Sequence, residues 1–252
     1  MQKKILYIDP VYDNSYLRAF KEHFEKIKND DIDIHVTSLG EKKGPKHVEY
    51  SCYEAMVIPD LIKTVKEAQD NQFDGVVIGC FYDPALRACR EIADNMIVTA
   101  PAEASFTIAK SLGENIAIIV GREKTIPEIK RNIFEYGMER RFSTFKSVGL
   151  GVLDFQKDHE VTMRKIRHAA QDAIENHHAD VIILGCTAEL GFYEELQKEL
   201  GVPVLDASIA ALKYAEFLVE INKTLGWGHS KVNGYESPPP EEARCFGIFD
   251  RN

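Results

Sequence analysis

The 252-residue sequence contains five cysteines, Cys52, Cys80, Cys89, Cys186 and Cys245, and two of them sit in matching surroundings. Phe73-Asp74-Gly75-Val76-Val77-Ile78-Gly79-Cys80 and Ala179-Asp180-Val181-Ile182-Ile183-Leu184-Gly185-Cys186 place an Asp, an apolar run, a Gly and a Cys in the same order, 106 positions apart. A short β-branched run closed by Gly reads as a buried strand that ends at the cysteine, and in open parallel sheets ligands bind outside the carboxyl ends of the strands. A turn leading towards a helix also offers N–H groups that favour a thiolate. Bringing a thiol from ~8.5 to ~7 takes roughly 2 kcal/mol. A helix terminus gives ~0.3–1 kcal/mol and a charge-assisted hydrogen bond ~1.5–3 kcal/mol, so this architecture can supply it. One cysteine alone at such a position reads as a small core residue. Two at equivalent positions could take a proton from one face of a carbon and deliver one to the other, inverting a stereocentre without a cofactor.

Elements that would position these thiols follow from the periodicity. Strands are expected near residues 4–9, 32–38, 74–79, 96–99, 115–120, 144–150, 180–185 and 202–205, with helices at 14–28, 54–71, 84–93, 102–112, 125–137, 158–177, 190–200 and 207–223. This alternation predicts parallel sheets covered by helices. Because both halves repeat one order at an offset near 106, the expected fold class is α/β, with two similar parallel-sheet domains related by pseudo-twofold symmetry and an active site in the cleft between them. The expected domains are residues 1–98 plus 207–252, and residues 99–206. From Gly226 the pattern stops, and Trp227 to Pro240 reads as a non-helical tail strapped over the surface, because prolines 238–240 lack donors.

Gly79-Cys80-Phe81-Tyr82-Asp83-Pro84-Ala85-Leu86 with Arg90-Glu91 resembles the first cysteine motif of the Asp/Glu/hydantoin racemase superfamily, in particular its hydantoin racemase branch, which includes allantoin racemases. Thr37-Ser38, Gly44-Pro45, Val48-Glu49-Tyr50, Gly185-Cys186 and the Tyr235 to Pro240 tail resemble that branch in the same order, so the similarity covers nearly the whole chain. The resemblance implies that Cys80 and Cys186 are the catalytic acid/base pair, with no cofactor. It also implies that backbone amides after each cysteine, at Phe81, Tyr82, Thr187 and Ala188, hold an oxygen that becomes enolate-like, as fixed donors for developing charge should.

Two departures bear on the substrate. Where the family's first strand commonly ends in an Asn-Pro-Asn-type turn, this chain has Asp9-Pro10-Val11, so Asp9 and Pro10 are expected at the substrate, Asp9 either bonding a ring N–H or ammonium group or capping the next helix. Thr187-Ala188-Glu189 resembles the amino-acid racemase branches instead of a glycine-containing turn. Glu103, at a helix start after Pro101, is expected to cap that helix or line the pocket near Cys80. Arg122 reads as surface charge or as a contact for an anion.

Other chemistries fit less well. Six residues separate Cys80 from Arg87, one more than a phosphatase loop uses, and His177-His178 cannot share one helix face, so no metal site is expected. The 31 basic and 40 acidic residues leave a charge of −9, which disfavours a nucleic-acid partner. No run is apolar enough for a membrane partner, and the short Ile5–Ile8 stretch is no secretory core. An odd cysteine count without C-x-x-C argues against a disulfide framework. The reading is a cytoplasmic enzyme acting on a small-molecule substrate, compatible with a homo-oligomer. It is expected to be a cofactor-independent racemase of 5-substituted hydantoins or allantoin. The alternatives are an Asp/Glu-type amino-acid racemase and, from another class, a non-catalytic two-lobed small-molecule-binding protein.

Overall fold

The computed structural model describes residues 2–246. They form two compact units. The first comprises the described residues up to Gly79, Pro84–Ala100 and those from Leu212 on; the second comprises Cys80–Asp83 and Pro101–Ala211.

In the first unit, β1 (Lys3–Asp9), α1 (Leu17–Ile27), β2 (Ile32–Ser38), α2 (Ser51–Asp70), β3 (Gly75–Ile78), α3 (Leu86–Ile92) and β4 (Ile97–Thr99) follow one another. Their strands pair in the order β2-β1-β3-β4, all parallel. All four residues of β3 are buried, as a strand covered on both faces requires.

The second unit begins with α4 (Pro101–Ala109), β5 (Ile116–Val120), α5 (Ile126–Glu135) and β6 (Phe142–Ser147). It continues through α6 (His159–His177), β7 (Val181–Leu184), α7 (Tyr193–Leu200), β8 (Val204–Asp206) and the start of α8 (Ala207–Leu225). Its strand order is β6-β5-β7-β8, again parallel, so both units use one topology. The Asp158 side chain caps α6 by accepting from the Val161 N–H at 3.0 Å.

All eight expected strands and all eight expected helices are present among the described residues, most with shifted ends and β2 at its expected bounds. The strand expected at 144–150 is β6, which starts two residues earlier and stops at Ser147, because Gly149 takes φ +69° and turns the chain out of the ladder. The tail differs at its last proline. Pro240 opens a ninth helix, α9 (Pro240–Cys245), where a missing N–H at the first helical position costs nothing. Before it the tail is non-helical and pinned along α3 and β4. Lys231 donates to the carbonyls of Arg90 and Glu91, Ser237 to that of Glu91, and Arg87 to that of Gly234. No helix among the described residues is long and apolar enough to cross a membrane.

Candidate active site

Each cysteine sits one residue past a glycine that continues its strand's bonding. Gly79 N–H donates to Ile8 C=O and Gly185 N–H to Ile119 C=O, both at 2.7 Å. Neither glycine tolerates a side chain. A Cβ at Gly79 would lie 2.5 Å from the Tyr7 ring, and one at Gly185 would lie 2.7 Å from Ile118 and 2.8 Å from the Ile119 carbonyl. The Gly-Cys pair therefore reflects close approach to the neighbouring strand, and the chain leaves the sheet at the cysteine. Cys80 and Cys186 are both half-buried and both belong to the second unit.

The turn after Cys80 is held from three directions. Asp83 N–H donates to Cys80 C=O at 3.0 Å. The Asp83 carboxylate accepts from the N–H groups of Ala102 and Glu103, at the start of α4, and from the Tyr136 hydroxyl, each at 2.8 Å. Asn132 Nδ2, one helical turn before Tyr136, donates to the carbonyls of Phe81 and Tyr82 at 3.2 and 3.1 Å. Phe81 is buried edge-on against Phe106 with ring centres 5.8 Å apart, and Tyr82 packs half-buried on the same core. Asp83 and Ala85 flank Pro84 with φ of 52° and 54°, a left-handed conformation that Asp tolerates better than Ala. Burial pushes the Asp83 carboxyl up to about 7, against the pull of its three hydrogen bonds.

The turn after Cys186 is held from within. Glu189 N–H donates to Cys186 C=O at 3.0 Å, while Glu189 Oε2 accepts from Cys186 N–H at 3.1 Å. Glu189 is fully buried, which raises its carboxyl well above the usual range; the nearby Asp206 adds to this and the Cys186 hydrogen bond opposes it. Thr187 is half-buried and its carbonyl accepts from Ser208 Oγ at 3.3 Å; Ala188 is buried and its carbonyl accepts from Gln156 Nε2 at 2.9 Å. Asp206 caps α8, accepting from Ser208 and Ile209 N–H groups, and also takes the Gly191 N–H.

Among the residues singled out from sequence, Phe81, Tyr82 and the Glu103 backbone thus gather at the Cys80 turn, and Thr187 and Ala188 at the Cys186 turn. Glu103 meets that turn through its N–H. The first helix to follow Cys80, α3, starts at Leu86, so the helix N-terminus bonded to this turn is that of α4. Cys186 leads directly into a 3-10 turn over Thr187–Glu189. Asp9 and Pro10 are buried at the end of β1, in the first unit, where burial and then Asp13 push the Asp9 carboxyl up to about 7. Arg122 is half-buried just beyond β5. Cys52 and Cys245 are exposed, and Cys89 is buried with its thiol pushed up to about 12. Sequence reasoning assigns no role to Asp83, Glu189, Asn132 or Tyr136. The signal for two of them was the offset that aligned the cysteines, since Asp83 and Glu189 are also 106 positions apart.

Comparison with known proteins adds the family. Residues 5–215 match the family model for Asp/Glu/hydantoin racemases. A hydantoin racemase from Pseudomonas sp. (strain NS671) is 32% identical over 221 residues, covering 87% of each chain. Among solved structures, an allantoin racemase from Klebsiella pneumoniae aligns with a TM-score of 0.87 at 24% identity over 94% of each chain. One from Pseudomonas fluorescens aligns with a TM-score of 0.85 at 26% identity, covering 94% of this chain and 97% of that one. With the matched segment spanning both cysteine turns, most of β1 and the whole of β2 to β8, the chain belongs to the Asp/Glu/hydantoin racemase family.

Proposed function

We propose that this protein is a cofactor-independent racemase of a five-membered cyclic ureide, a 5-substituted hydantoin or allantoin, working by proton transfer between Cys80 and Cys186. The observation that carries the reading is the repeated strand exit: each cysteine follows a sterically obligatory glycine, in sheets of one topology. One thiolate removes the proton on the ring carbon between carbonyl and nitrogen, and the opposing thiol donates to the other face. Backbone amides of the Phe81-Tyr82 and Thr187-Ala188 turns hold the enolate-like oxygen. A ring carbon so placed is a stronger carbon acid than that of a free amino acid, so a modest lowering of the thiol pKa values suffices.

The choice of a neutral ring over a dianionic amino acid is supported by where the protein's own carboxylates lie. A helix N-terminus is a ready anion site. Here the N-terminus of α4 is taken by Asp83 and that of α8 by Asp206. Glu189 is a further buried acid beside Cys186. Thr187-Ala188-Glu189, the segment that favoured the amino-acid branch, places its acid inside the protein.

The test is incubation with enantiopure hydantoins, allantoin, aspartate and glutamate in deuterated water, following optical rotation and deuterium at the stereogenic carbon. Racemisation with exchange on the rings alone is expected. Exchange on the amino acids alone, or inertness towards every compound, overturns the proposal.

A further inference from the structure

Asp83 and Glu189 occupy the same place in the two halves: each is an acid three residues after its cysteine, and each donates its N–H to that cysteine's carbonyl at 3.0 Å. Their side chains do different things. Asp83 reaches away, onto the start of α4 and to Tyr136, so its carboxylate serves the surrounding structure. Glu189 turns back. Its Oε2 takes the N–H of Cys186 itself, and in the second half the task of capping the helix falls to Asp206.

Glu189 therefore bonds both peptide groups flanking the Cys186 Cα: the preceding one through its carboxyl and the following one through its N–H. The direction of a side chain depends on those two planes. This arrangement is poor for stability alone, because the carboxyl is fully buried with one oxygen, Oε1, lacking a hydrogen-bond partner among the described residues. Buried polar groups are normally satisfied, so a fully buried acid with one unpaired oxygen marks a candidate functional site even though its other oxygen serves the turn.

We infer that Glu189 is a positioning residue that aims the Cys186 thiol by holding the cysteine's own N–H, a role its counterpart Asp83 does not share for Cys80. The inference rests on the two-cysteine reading for its link to catalysis, but its geometric core is separately testable.

The experiment compares Glu189→Gln, which keeps an oxygen for the Cys186 N–H, with Glu189→Met, of similar reach and without an acceptor, and Glu189→Asp, whose carboxyl is too short. In the full-length chain the readouts are the melting temperature, the pH profile of iodoacetamide labelling at Cys186 mapped by mass spectrometry, and kcat and KM on a ring that wild type racemises. Glu189→Met and Glu189→Asp should lower kcat by about 10–100-fold with KM nearly unchanged, as expected for a misplaced reacting group. Both should change the rate or midpoint of Cys186 labelling, and Glu189→Gln should restore both properties. A wild-type labelling profile in Glu189→Asp overturns the inference. So does a Gln variant as impaired as the Asp variant. If wild type racemises nothing while labelling still follows the Cys186 N–H bond, the proposed function fails and the positioning role stands. A racemase whose labelling and kcat ignore residue 189 has the reverse meaning.

Discussion

The Tyr136 hydroxyl donates to Asp83 Oδ2 at 2.8 Å, so the C-cap of α5 and the turn after Cys80, more than fifty residues apart, share one partly buried hydrogen bond. With Asn132 holding two carbonyls of the same turn, this helix acts as a clamp on it. Tyr136→Phe keeps the ring against Phe106 and removes only the donor. Above pH 7, where the Asp83 carboxyl is ionised, a charge-assisted bond of this kind contributes about 1.5–3 kcal/mol. Tyr136→Phe should therefore lower unfolding free energy in urea by that order. An unchanged midpoint and slope would show that the turn is held without this bond.

Substituting either thiol tests the proposed chemistry directly. Cys80→Ser and Cys186→Ser should each reduce racemisation by about 10²–10⁴-fold, the range for loss of a positioned acid or base. Each variant should still catalyse deuterium exchange from only one enantiomer, because under the proposed mechanism one thiol still faces the carbon. Chiral chromatography with mass detection separates the two readouts. Full racemase activity in either variant excludes a two-thiol mechanism.

Strand positions were legible in the sequence because β3 and β7 are buried on both faces and so read as unbroken apolar runs. The Gly-Cys motif was legible because it encodes a steric fact, the approach of Tyr7 to Gly79 and of Ile118 to Gly185. The bracing of the turns was not. That Asn132 in α5 and Tyr136 at its C-cap lie one helical turn apart follows from their spacing, but their partners at Phe81, Tyr82 and Asp83 are set by packing far along the chain. Glu103 illustrates the same limit, since its place at the start of α4 was foreseeable and the partner of its N–H was not. Asp83 and Glu189 were visible as a repeat, yet nothing in the sequence says that one reaches outward and the other back.

The Gly44-Pro45 segment makes a stability prediction. A Cβ at Gly44 would lie 2.1 Å from Tyr12 Cδ2. The ring cannot swing away freely, because its hydroxyl donates to Asp60 at 2.6 Å and Tyr12 N–H donates to Pro45 C=O at 2.9 Å. Gly44→Ala should cost about 1–3 kcal/mol by overpacking. In the double variant with Tyr12→Ala, the added penalty of the Gly44 change should largely vanish. A penalty that persists without the ring would point to the backbone at residue 44 instead.

The tail supplies a pH-dependent contribution to stability through His229. Its Nε2 accepts from the Val98 N–H at 2.8 Å, so the bond requires the neutral ring. Burial first, and then the charges of Arg90 and Lys231, lower the His229 pKa from 6.5 to about 4. The folded state thus disfavours protonation that the unfolded chain accepts near 6.5. The stabilisation is whole above that pH and is lost progressively as pH falls towards 4, below which both states carry the proton. Over that window it amounts to at most roughly 3 kcal/mol at 1.36 kcal/mol per pH unit. The buried carboxyls Asp9 and Asp83, both raised to about 7, act with opposite sign, stabilising the fold as pH falls, so the wild-type curve alone does not isolate the histidine. Glu189, raised well above its usual range, and Asp206, raised to about 6, add to that opposing trend. The informative quantity is the difference in unfolding free energy between wild type and His229→Gln, whose amide oxygen can accept from Val98 without titrating. That difference should be flat above pH 7 and fall steadily between pH 6.5 and 4, in the sense that the wild type loses stability relative to the variant. A difference that is constant across the range would mean that His229 titrates alike in the folded and unfolded chain and that its bond to Val98 is not what holds the strap.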